Sequence, residues 1–116
     1  MRDILYCIDE EKRVCVVVLR GCAADAMGEF ERYTGDSLWI PSSERFRLPD
    51  TIRGVAKCHP DDEFNAQVGS DLAFDRAYKT YKKLLRATLK SMAKYTRTRA
   101  DMIDDVVENS KRFKNL

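Results

Sequence analysis

One histidine and five glycines stand among 116 residues, and each scarcity removes a class of answer. A single histidine leaves too few ligands for a histidine-based zinc enzyme, which ordinarily needs three protein ligands. The five glycines form neither a G-x-G-x-x-G fingerprint nor a P-loop. No apolar run approaches the roughly 20 residues of a membrane span; the longest, residues 14–19, suits a strand. Met1-Arg2-Asp3-Ile4 opens without the long apolar region of a secretory signal, so the expected location is the cytoplasm. Cys7, Cys15, Cys22 and Cys58 lack the paired C-x-x-C spacing of metal knuckles and read as reduced thiols in strands. With 44% apolar residues, the chain can build one core without staples. The expectation is a single domain over 1–116.

The first 64 residues read mainly as β. Residues 4–8 and 13–20 are apolar and β-branched, and Asp9-Glu10-Glu11-Lys12 between them is a turn signal. Val14, Val16 and Val18 face one way and Cys15, Val17 and Leu19 the other, which suggests a central strand covered on both faces. Residues 22–40 are ambiguous: Ala23, Met27 and Phe30 fit a helical face that Gly28 interrupts. Trp39-Ile40 and residues 45–48 look like short strands, and 51–58 like another, bent at Gly54. Residues 65–116 read as two helices. Phe74, Tyr78, Tyr81, Leu85, Leu89 and Met92 share one helical face, and Met102, Ile103, Val106, Val107 and Phe113 a second. Between them Thr98-Arg99-Ala100-Asp101 resembles a capping box, which predicts a helical hairpin. The fold class is α+β: an N-terminal antiparallel β-sheet followed by a C-terminal helical hairpin.

A formal charge of +2 conceals a strong asymmetry. Residues 1–71 balance at −5, residues 72–100 at +8 and residues 101–116 at −1. On a helical projection Arg76, Lys79, Lys83, Arg86, Lys90, Lys94 and Arg97 cluster opposite the Phe74–Met92 stripe. A solvated helix face normally mixes signs, because like charges at i,i+4 repel. A face of almost one sign points to an anion, and phosphate suits Arg forks and Lys point charges.

Cys58-His59-Pro60-Asp61-Asp62-Glu63 contains H-P-D-D-E, which resembles the zinc motif of the N-acetylglucosaminyl deacetylase superfamily. The resemblance would make His59 and Asp62 ligands and Asp61 the base. That family needs a further histidine downstream, and this chain has none. The string reads instead as a strand-to-helix connection, and neither a catalytic residue nor a metal or cofactor is expected.

The layout as a whole resembles the prophage Thoeris anti-defence family of the first type described. The resemblance rests on residues 4–8 and 14–18, the string Gly54-Val55-Ala56-Lys57-Cys58-His59-Pro60-Asp61-Asp62-Glu63-Phe64-Asn65, and the helix opening Leu72-Ala73-Phe74-Asp75-Arg76-Ala77. It implies a phage protein of the host cytoplasm that acts as a sponge, sequestering cyclic ADP-ribose-type immune signals without cleaving them. Relatives also hold cyclic oligonucleotides and assemble as dimers or higher homo-oligomers. Such a ligand offers a purine face, ribose edges and a pyrophosphate, so aromatic and Arg side chains are the candidate contacts. Phe74 lies within a turn of Arg76; Asn109 and Arg112 lie together at the chain end; Arg97 and Arg99 bracket the expected helix start at Thr98, where free N–H groups favour an anion.

A homo-oligomer is also expected from the two helices themselves, which present more apolar face than a small sheet can cover. The rival function is a nucleic-acid-binding phage regulator that lays the basic helix on a phosphate backbone, with affinity falling steeply in salt.

Overall fold

A computed structural model describes residues 3–34 and 48–112. The order is β1 (Asp3–Asp9), β2 (Val14–Arg20), α1 (Cys22–Thr34), β3 (Thr51–Lys57) and α2 (Ala66–Asn109). The three strands form one antiparallel sheet in the order β1-β2-β3. The α+β class therefore stands. The expected strands at 39–40 and 45–47 lie outside the described residues.

The β1–β2 connection turns where the run of charged residues predicts. The Lys12 amide donates to the Asp9 carboxylate at 3.0 Å. Arg13 closes the turn in the left-handed region, at φ 57°. Gly21 ends β2 at φ 73°, a conformation glycine adopts without a Cβ penalty. α1 follows at once, its first amide on Cys22 donating to the Asp50 carbonyl at 3.0 Å.

β2 is central, and its alternation is as expected: Cys15, Val17 and Leu19 are buried, while Val14, Val16 and Val18 are half-buried. It is covered fully on one face only. On the other, Leu5 is 43% and Val55 46% exposed. The covered face packs with Ile52 and Ala56 of β3, Cys22 and Ala26 of α1, Leu48, and Ala73, Ala77 and Tyr81 of α2.

The β2–β3 ladder runs without a bulge through Gly54, which stays in register opposite Val17. Glycine is needed there for a different reason. A Cβ at Gly54 would overlap the Ala73 carbonyl oxygen and sit 2.7 Å from the Ala77 nitrogen. Small residues on both elements let the α2 backbone lie directly on the strand.

The helical hairpin is corrected to one helix of 44 residues. At 1.5 Å per residue α2 is about 66 Å long, and the molecule's longest dimension is 76 Å. Asn65 caps its start, the side-chain oxygen accepting from the Gln67 and Val68 amides at 3.0 and 3.1 Å. Thr98 is interior: its hydroxyl donates back to the Lys94 carbonyl at 3.0 Å, as Thr96 does to Met92 at 2.9 Å. The Thr98 hydroxyl is satisfied by this back-bond, and with no Gly or Pro between Gly69 and Asn109 nothing near Thr98 interrupts the helical ladder.

Candidate functional site: a basic helix face with tyrosine–cation pairs

Docking of α2 through Ser70, Ala73, Ala77 and Tyr81 dictates which way its other side chains point. Arg76, Lys79, Lys83, Arg86, Lys90, Lys94 and Arg97 are all exposed. Among the described residues, Lys79, Lys83, Arg86, Lys90, Lys94 and Arg97 have no carboxylate partner. Their repulsion is unrelieved along the face, which makes it a surface of uncompensated positive potential.

Aromatic rings stand next to this face. Phe74 stacks on Tyr78 with centroids 5.9 Å apart and planes 8° from parallel, and Tyr78 lies 6.1 Å from Tyr81. The Lys82 ammonium sits 4.9 Å from the Tyr78 ring centre. One further pair repeats this i,i+4 arrangement: the Arg99 guanidinium is 5.6 Å from the Tyr95 ring and donates to its hydroxyl at 3.2 Å. Tyr78, Lys82 and Tyr95 are not among the six candidate contacts read from sequence, where Tyr78 figures only in the apolar stripe. The signal was present, since an aromatic four residues before a cation must lie beside it on a helix.

The six sequence candidates do not form one cluster. Phe74 is half-buried against the core, and Arg76 next to it donates to the Val55 carbonyl at 2.7 Å, tying the helix to the edge of β3. Arg97 and Arg99 lie about 30 Å further along the axis. They do not flank a helix N-terminus, so the free amides expected there are absent; those amides bond within the helix. Two residues apart, they project on nearly opposite sides, about 200° apart. One anion cannot be gripped by both from the same chain. Asn109 is the last residue of α2, and Arg112 follows the Ser110 cap, its amide donating to the Ser110 hydroxyl at 3.3 Å. That end exposes carbonyls, not amides.

The H-P-D-D-E string forms the connection from β3 to α2, as read, and His59 and Asp61 bond within its own turn. His59 Nδ1 accepts from the Asp61 amide at 3.2 Å and lies 3.6 Å from the Asp61 carboxylate. Arg13, overlooked in the sequence, clamps this turn from the neighbouring hairpin. Its guanidinium donates to the Pro60 carbonyl at 2.9 Å and to Cys58 Sγ at 3.5 Å, and its carbonyl accepts from the Cys58 amide at 2.9 Å. Among the described residues no three His, Cys, Asp or Glu side chains converge as a metal site would require.

Compared with protein families, curated proteins and solved structures, the chain matches none. Among the described residues, no helix is long and apolar enough to cross a membrane.

Proposed function

We propose that this protein binds and sequesters a nucleotide-derived cyclic signal of the cyclic ADP-ribose type, without turning it over, in the anti-defence role that the sequence resemblance implies. One observation carries the reading: the one-sign cation face of α2 runs beside two tyrosine–cation pairs, exposed Tyr78 with Lys82 and half-buried Tyr95 with exposed Arg99. A ring supplies a flat surface for a purine, and the neighbouring cations supply charge-assisted bonds to its phosphates. Arg99 and Arg97 keep their place as candidate phosphate contacts, acting on separate sides of the helix. Phe74 and Arg76 act by holding Tyr78 and the helix in position.

The experiment is titration calorimetry with cyclic ADP-ribose isomers, followed by heat release and mass analysis of the ligand. Binding with intact ligand recovered supports the reading. Altered ligand makes the protein an enzyme, and absence of binding to every cyclic nucleotide removes the proposal.

The shape of the basic surface favours one other ligand. Lys82, Arg86 and Lys90 flank an open apolar groove with Leu85, Leu89 and Ala93, but the cations run on past it in a row along one long helix, which suits a nucleic-acid backbone. Binding of that kind loses affinity steeply with salt, whereas a stacked small ligand with two phosphates loses far less. Duplex DNA and RNA titrated at two salt concentrations separate the two readings.

A further inference from the structure

We propose that β1 is the seam of a two-fold dimer, pairing antiparallel with β1 of a second copy so that two three-stranded sheets become one of six strands. The argument starts from a difference between the two edges of the sheet. β3 is defended against extension: Arg53 and Lys57 stand on it, and the Val55 carbonyl already accepts from Arg76 at 2.7 Å. β1 has no such defence. All seven of its residues are exposed, it contains no Lys, Pro or Gly, and Ile4-Leu5-Tyr6-Cys7-Ile8 contains no Asp, Glu, Lys or Arg. Among the described residues no strand pairs with the outer edge of β1, which therefore presents a row of backbone N–H and C=O groups without ladder partners, and the group that satisfies such a row is another strand.

The side chains demand the same occupant. Ile4, Tyr6 and Ile8, exposed at 40, 53 and 47%, are register partners of buried Leu19, Val17 and Cys15 and so share the helix-bearing face. Leu5 and Cys7 pair with Val18 and Val16 and lie on the opposite face. A docked helix covers one face; a strand added at the edge extends both. Self-pairing keeps each face continuous only if residues of the same parity meet, and centring on Tyr6 uses the whole strand. Tyr6 then meets the partner's Tyr6, Ile4 the partner's Ile8, and Leu5 the partner's Cys7. Every apolar residue of β1 gains an apolar neighbour. Asp3 faces the partner's Asp9 at each end, in water, and Arg20 opposite Asp3 offsets part of that repulsion. Added salt screens this pair, so the dimer tightens with salt, the reverse of phosphate binding by α2.

The pairing stands apart from the ligand reading and is tested by mass, not by ligand. Sedimentation equilibrium of the wild type should show a dimer. Tyr6→Lys places two like charges across the dyad and should raise the dissociation constant by about tenfold or more. The exposed position leaves the fold intact, which a circular dichroism melt checks. Leu5→Cys should form, on mild oxidation, a covalent dimer through the native Cys7 that disappears when Cys7→Ser is added. A monomeric wild type overturns the proposal. So does a dimer that survives Tyr6→Lys but is dissociated by Met102→Lys with Val106→Lys on the exposed tip of α2. A Leu5→Cys protein without the Cys7-dependent link overturns the two-fold register.

Discussion

Gly54 of β3 and Ala73 of α2 meet backbone to backbone, with no side chain between strand and helix. This contact sets the height of α2 above the sheet and therefore which helix residues are buried. Gly54→Ala forces a Cβ into the Ala73 carbonyl, and neither element can yield without disturbing Val17 and Ala77, both fully buried. We expect a loss of about 3 kcal/mol, at the upper end of overpacking costs. Urea unfolding read by circular dichroism measures it; a loss below about 1 kcal/mol would mean the helix rides higher than described.

Thr98 and Asn65 offer a paired test of the single helix. As an interior residue Thr98 can be replaced by Ala with a gain of a few tenths of a kcal/mol, because Ala is the better helix former. As a cap it would lose about 1 kcal/mol on the same change. Asn65→Ala should show that cap-sized loss. Equal losses at the two positions would restore the hairpin.

Arg13 sits at φ 57°, where a residue with a Cβ costs about 1 kcal/mol, and it holds the 58–60 turn by three bonds. Arg13→Ala removes the guanidinium bonds and keeps the backbone cost, so it should destabilise by about 1 kcal/mol. Arg13→Gly loses the same bonds but relieves the backbone and should be the milder change. The order of the two thermal midpoints decides the matter.

Burial pushes the Cys22 thiol above its ordinary value of 9.0. The folded state therefore keeps its proton where the unfolded chain has lost it. Cys22 contributes full stability below pH 9, and the contribution falls as pH rises from 9 toward the higher folded value. Cys22→Ala should flatten that part of the stability profile. In native protein, thiol labelling should reach exposed Cys7 first, half-buried Cys58 next, and buried Cys15 and Cys22 only on unfolding. Rapid labelling of Cys22 would contradict its burial.

For the ligand, Tyr78→Ala and Arg99→Ala should each weaken binding of a cyclic ADP-ribose isomer by about tenfold or more, the value of one stacking or charge-assisted contact. His59→Ala should leave affinity unchanged, since His59 bonds within its own turn. Calorimetry of the three variants checks this, and a loss confined to His59→Ala would move the site to the β3–α2 connection.

Alternation and helical periodicity are local properties, so the sequence alone placed β1, β2 and β3, the turn at Asp9–Lys12, the division of β2 into two apolar faces, and the outward basic face of α2; that only the Cys15, Val17 and Leu19 face is fully covered was decided by the docking of α2. Local chemistry at Thr98 pointed the wrong way, because a hydroxyl that can cap a helix can equally bond back within one; the absence of a nearby breaker settled it. Gly54 was visible as a glycine in a strand, but a bend and a close approach leave the same mark on a sequence. Only packing against Ala73 and Ala77 chose between them. The clamp from Arg13 to Pro60 spans 47 residues and has no local signature. A helix start at Thr98 would turn free amides toward both Arg97 and Arg99 and make one anion site of them. A continuous helix uses those amides itself and sends the two side chains apart, so tertiary structure, through the length of α2, decided that the cations form a row along the helix and that Arg97 and Arg99 do not share one anion.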